Sequence, residues 1–237
     1  MMKKLAILGL LAAAGGAHAQ LYLNGPVVNG SGLSVLSLPA TTFGFGAQTT
    51  AANAVADDFT VTGAGWNVSS LDFFGYQTGS TSFTFQAATW SIVSGTINGS
   101  VVASGTTAVT NGGRVGYRVT DTTLADTQRG IYRANADIAD LVLGAGHYWL
   151  TWSLTGSLAS GPWQPPTSDA RTGNAMQSVA SGPFVTLEEA GSGLSVELPF
   201  AINGSTVTTA VPEPSTYALM LLGGLAVAGV ARRRKAR

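Results

Sequence analysis

Two acidic pairs, Asp57-Asp58 and Glu188-Glu189, and two histidines, His18 and His147, are the side chains of this sequence best equipped for chemistry. The chain has no cysteine, so a zinc site of His and Cys ligands is excluded. His18 falls in a segment expected to be removed, and a Ser-His-Asp triad would therefore have to use His147. A glycosidase needs two carboxyls facing each other across a cleft, whereas neighbours on a strand point to opposite faces. Asp57 and Asp58 are expected to mark the start of a strand, where oxygen ligands for Ca²⁺ are the chemistry open to them. Glu188 and Glu189 are expected in a solvated loop. His147 sits one residue out of step with an apolar row beginning at Tyr148, which places it on the surface. On this reading no catalytic residue, cofactor or metal is assigned. Five tryptophans, Trp66, Trp90, Trp149, Trp152 and Trp163, are expected mostly in the core, where aromatic rings carry much of the burial. Trp163, set between glycine and prolines in GPWQPP, and Trp149, facing away from the Tyr148 row, are the candidate glycan contacts.

The elements that must position these side chains have period two. In HYWLTWSL, Tyr148, Leu150, Trp152 and Leu154 share one face, and Val196, Leu198, Phe200 and Ile202 do so in VELPFAI. Val115, Tyr117 and Val119 alternate with Arg114, Gly116 and Arg118. Pro199 argues for an edge strand, because proline cannot donate to a ladder. Parity changes between Ala87 and Trp90, and between Val68 and Leu71, require bulges or bends. Clusters such as INGS (97–100) and TNGG (110–113) read as turns. The segment 136–146 is the one helical candidate, equally readable as loop and strand. The expected fold is all-β: a jelly-roll-like β-sandwich of about nine or ten short strands over residues 20–210.

Both ends are different in kind. Lys3 and Lys4 precede an apolar run at 5–14, and the segment closes on small residues at Ala17 and Ala19. That is the pattern of a secretory signal peptide over residues 1–19, cut by signal peptidase between Ala19 and Gln20. At the other end, residues 216–231 carry no charge and are followed by RRRKAR. Sixteen helical residues reach about 24 Å against a hydrocarbon core of about 30 Å. Snorkelling by the basic cluster narrows that gap, so a single transmembrane helix is expected, with Arg232, Arg233 and Arg234 as its cytoplasmic stop. Between Gln20 and Ala210 there are five arginines, no lysine and eleven acids, a net charge of −6. A lysine-free acidic domain has no electrostatic footprint for nucleic acid.

Between domain and helix lies VPEPS, residues 211–215. Two prolines hold Val-Pro-Glu-Pro near polyproline II, with one charge exposed, a shape that suits a processing enzyme's cleft. Pro212, Glu213 and Pro214, a short apolar helix and a terminal arginine cluster, in that order, resemble the PEP-CTERM sorting tail of bacteria that make exopolysaccharide. The resemblance covers Val211–Arg237. It implies recognition by the membrane enzyme exosortase and delivery to the cell surface or matrix. Further pieces (ADDFTV, 56–61; LDFFGYQTGS, 71–80; HYWLTW, 147–152; SGPWQPP, 160–166; GNAMQ, 173–177) resemble an exported β-rich module found in such proteins, which brings no assigned activity. The expected function is a structural or adhesive component without catalysis. A carbohydrate-binding module is the alternative, and an exported hydrolase the third.

Overall fold

A computed structural model of the protein describes residues 19–36, 40–169 and 172–208. The chain divides into two units, residues 1–207 and 208–237, and the described strands all belong to the first. Ala17, the sorting triplet Pro212-Glu213-Pro214, the expected transmembrane helix and Arg232–Arg234 lie outside the described residues. Among the described residues, no helix is long and apolar enough to cross a membrane.

Thirteen strands follow in order: β1 (Ala19–Leu23), β2 (Leu33–Ser34), β3 (Phe45–Gly46), β4 (Ala54–Val61), β5 (Trp66–Gly75), β6 (Phe85–Ser94) and β7 (Val101–Arg118), then β8 (Gly130–Leu143), β9 (Gly146–Gly156), β10 (Trp163–Gln164), β11 (Met176–Ser178), β12 (Val185–Thr186) and β13 (Phe200–Thr206). One 3₁₀ turn, Thr49–Ala51, precedes β4. Ten strands form a continuous antiparallel path, β1-β13-β5-β8-β7-β6-β9-β4-β11-β12, with β2 added in parallel on β7 and a separate β10–β3 ladder. The fold is all-β, as the period-two patterns predict.

The expected two layers are parts of one curled sheet, and β7 is where it curls. Its first half pairs β6 (Val101 to Ala108), and its second half pairs β8 (Val109 to Tyr117). TNGG, expected as a turn, lies inside this strand. The register slips between Asn111 and Arg114, Gly113 takes φ +96°, and Asn111 Oδ1 accepts the Gly113 N–H at 2.9 Å. A bulge uses the same residues as a turn, but sharpens local twist without reversing the chain. INGS does form a turn between β6 and β7.

The core lies between the two halves of the curl. Phe73 of β5 and Phe200 of β13 each place their ring centroid 5.7 Å from that of Trp152 on β9. Leu150, Trp152 and Leu154 are fully buried in a row, as are Leu198, Phe200 and Ile202. Trp152 also donates from Nε1 to Gln164 Oε1 at 3.1 Å, so its truncation to Ala would cost about 3–5 kcal/mol or more. The β5–β8 register slips between Val68 and Ser70, where parity changes in the sequence. The β6–β9 slip falls between Phe85 and Ala87, slightly ahead of the expected place. Residues 136–143 belong to strand β8. Pro199 does not mark an edge: β13 lies between β1 and β5, and the proline stands just before its first residue, where no ladder donor is needed.

Arg118, alternating with the apolar row as expected, is not exposed. Its side chain is fully buried and donates to Phe43 O at 2.8 Å, Ser34 O at 3.0 Å and Thr42 O at 2.6 Å. From the other side of the same loop, Glu189 accepts the N–H groups of Thr41 (2.6 Å) and Thr42 (2.7 Å), and that of Ser192 at 2.7 Å. Glu189 is fully buried while Glu188 is exposed. The solvated-loop expectation therefore fails for Glu189: its carboxylate replaces water with four hydrogen-bond donors, the Ser192 hydroxyl being the fourth.

Candidate functional site

The two acids of β4 do not stay on opposite faces. β11 pairs β4 only through Ala54, Val55 and Ala56, so beyond Ala56 that edge of the strand is unpaired and side chains can bend round it. Asp57, Asp58 and Glu197 converge there, offering carboxylate oxygens within 4.8 Å of one another. Asn24, nine-tenths buried, ties the group together: its Nδ2 donates to Asp57 Oδ2 at 2.8 Å, to Glu197 Oε2 at 3.0 Å and to Leu198 O at 3.1 Å. Asp57 Oδ2 also accepts the Leu198 N–H at 2.7 Å, and Oδ1 accepts the Asp58 N–H at 2.8 Å. With its nitrogen turned inward, the Asn174 amide donates to Asp58 Oδ1 at 3.1 Å and Asp57 Oδ1 at 3.2 Å.

Burial and then the neighbouring Glu197 charge push the Asp57 carboxyl up to about 9, against the pull of the Leu198 and Asp58 N–H groups. Asp57 therefore keeps its proton at neutral pH, since a buried carboxyl beside another acid resists ionising. The donor set is one a hard cation accepts. Both oxygens of Asp57 are already met by N–H groups, however, so an ion would have to displace Asn24 or a backbone donor. The arrangement is that of an internally satisfied acid cluster, with its outer side at Asp58.

His147 adjoins it on β9. Its Nε2 lies 2.5 Å from Asp58 Oδ2 and its Nδ1 2.7 Å from Gly95 O. The Asp58 hydrogen bond, followed by that to Gly95, raises its pKa. The expectation of a surface histidine stands, since its side chain is 41% exposed, yet both ring nitrogens are engaged. Sequence reasoning missed Asn24, Asn174 and Glu197, which meet Asp57 only through long-range pairing.

Of the tryptophans, Trp66, Trp90 and Trp152 join the main core. Trp149 does face outward, but its ring is buried with Ala56 and Val93 beneath Ile97, Met176 and Phe184, and it offers little surface to a glycan. Trp163 is half-buried and stands between two cavities of about 540 and 320 Å³. Ala19 and Gln20, flanking the expected cleavage point, open β1 and are exposed.

Residues 210–235 match the family model of the PEP-CTERM protein-sorting motif, a span that contains Pro212, Glu213 and Pro214. No curated protein matches the chain. The chain thus joins an all-β domain to a PEP-CTERM sorting tail. It is an exported protein sorted through an exosortase-type membrane enzyme.

Proposed function

We propose that this protein is a structural or adhesive component of the cell surface or exopolysaccharide matrix, acting without catalysis. The observation that carries the reading is the sorting motif at 210–235, attached to a domain in which the buried acids Asp57 and Glu189 are engaged by its own backbone. Asp57 and Glu189 accept main-chain N–H groups, and His147 is held between Asp58 and Gly95. Each is bound in a way that favours stability over turnover.

The route has three stages. Signal peptidase cuts after Ala19, with Ala17 and Ala19 as its small residues, leaving Gln20 as the first residue. Residues 216–231 then halt in the inner membrane, with Arg232, Arg233 and Arg234 on the cytoplasmic side. Exosortase reads the motif that contains Pro212-Glu213-Pro214. Processing there frees the domain from its anchor.

The test compares wild type with Glu213→Ala, and with Pro212→Ala/Pro214→Ala, by cell fractionation and immunoblot. The variants should accumulate as a longer form in the inner membrane, while wild type reaches the surface or medium in a shorter one. Identical size and location for all three would leave residues 211–237 as a plain anchor.

A further inference from the structure

Trp163 and the polar groups beside it have no part in sorting or in the acid cluster. The ring is fixed from several sides. The backbone of Trp163 exchanges hydrogen bonds with Tyr76 at 2.9 and 3.0 Å, and its Nε1 donates to Ser160 Oγ at 3.3 Å. Gly161 lies beneath it at φ +83°, where a Cβ would come 2.6 Å from Trp163 Cδ1. Such a ring is a prepared surface, since little conformational freedom remains to be lost when something stacks on it.

Strand β10 pairs Trp163 with Gly46 of β3, and around Gly46 three side-chain amides converge. A Cβ at Gly46 would lie 2.6 Å from Gln48 Oε1, 3.0 Å from Asn53 Nδ2 and 3.4 Å from Gln177 Nε2. Asn53 is used at both ends, donating to Gln48 Oε1 (2.8 Å) and accepting from Ala180 N (3.0 Å). Gln48 is thereby held by its oxygen, and Gln177 by its nitrogen, which donates to Gly46 O at 2.8 Å. Gln48 Nε2 and Gln177 Oε1 have no hydrogen bond among the described residues. These amides and Trp163 line the 540 Å³ cavity, and none of the described residues lining it is ionisable. The 320 Å³ cavity shares Gly44, Ser160 and Trp163 with it, so the two meet at the indole. Arg129, which lines the smaller cavity, is already paired with Asp126 and stacked over Phe43 at 3.6 Å.

We propose that the cleft running past Trp163 binds a neutral saccharide chain. A pyranose ring presents a C–H face to the indole, while neighbouring hydroxyls, each both donor and acceptor, meet one free amide N–H and one free amide oxygen. The uncharged lining of the larger cavity selects against uronates there, and Arg129 beside the smaller one is already paired with Asp126, so a uronate would lose water without gaining a free cation. The volumes fit a few sugar units, and the continuation into the second cavity lets a polymer pass through. This holds or fails regardless of where the protein is delivered.

The test is an array of neutral and uronate-bearing oligosaccharides, probed with the purified full-length chain in a detergent that carries no sugar. Retention on neutral glycans is expected. Trp163→Ala should weaken it about tenfold or more, and Trp163→Tyr only by a few-fold. Gln177→Met, which keeps the shape but removes both the free acceptor and the Nε2 donor to Gly46 O, should weaken binding by the still-folded protein and lower its melting temperature only modestly. No retention on any neutral glycan, retention on uronates alone, or equal retention by all variants would overturn the proposal.

Discussion

Raising the pH from 5 to 6.5 should destabilise this domain, and the cause is the proton held by Asp57. Burial and Glu197 push that carboxyl up to about 9 in the folded chain, against about 3.9 when unfolded. Between those values the folded state holds a proton that the unfolded state has lost. The contribution is therefore complete below about pH 4 and drains away as pH rises toward 9, at up to about 1.4 kcal/mol per unit. His147, also raised, pulls the same way only above about pH 6.5, and Glu189 acts below about 4.5. The interval from 5 to 6.5 thus isolates Asp57, and 1.5 units amount to about 2 kcal/mol. For a domain of this size that lowers Tm by roughly 4–8 °C. The assay is tryptophan fluorescence during thermal unfolding of the purified full-length chain, with and without EDTA. Asp57→Asn removes the titrating carboxyl and should flatten the slope, and EDTA should change nothing. A wild-type Tm that is constant or rises between pH 5 and 6.5 would refute a protonated Asp57. A Tm that falls on adding EDTA would show that a cation occupies the cluster instead.

Arg118→Met strips the buried carbonyls of Ser34, Thr42 and Phe43 and should cost about 3 kcal/mol or more, read as a lower Tm. Arg118→Lys should recover only part of this, because an ammonium lacks the guanidinium fork. Although burial opposes it, donors from Thr42, Ser192 and Thr41 draw Glu189 down to about 2; its stabilisation is present above about pH 4.5 and lost as pH falls toward 2, and Glu189→Gln should flatten acid unfolding curves in that range. Mass spectrometry of the exported protein should find Gln20 as its first residue, and an intact Met1 on it would refute the cleavage assignment.

Much of the fold was legible because burial imposes period two. The rows through Leu150, Trp152 and Leu154 and through Leu198, Phe200 and Ile202 could be read directly, and the sorting tail could be read because its order of proline pair, apolar run and arginines is local. What escaped was set by pairing between distant segments. TNGG looks the same whether it reverses a chain or bulges a long strand, and only the partners of β7 decide. Asp57 and Asp58 alternate in sequence, but the open edge of β4 lets both turn toward Glu197, 140 and 139 positions away respectively. Glu189 is polar and flanked by glycine-rich chain, so nothing local says that it will take up the N–H groups of Thr41 and Thr42. Trp149 does face outward, yet Ile97, Met176 and Phe184 cover it.

The pairing of β1 with β13 has a consequence in time. Ala19 to Leu23 lie against Ala201 to Gly204, and β13 also supplies the seam between β1 and β5. A chain threaded outward from its N-terminus therefore waits, with the Phe73 and Trp152 rings unroofed, until Phe200 emerges. Contacts so far apart in sequence close slowly. Only five residues, 207–211, separate Thr206 from Pro212, at most about 18 Å of extended chain. The last stitch of the domain and its sorting motif thus leave the ribosome nearly together, and if the tail is processed as proposed above, a slow processing step would act as a proofreader by giving each molecule time to finish folding.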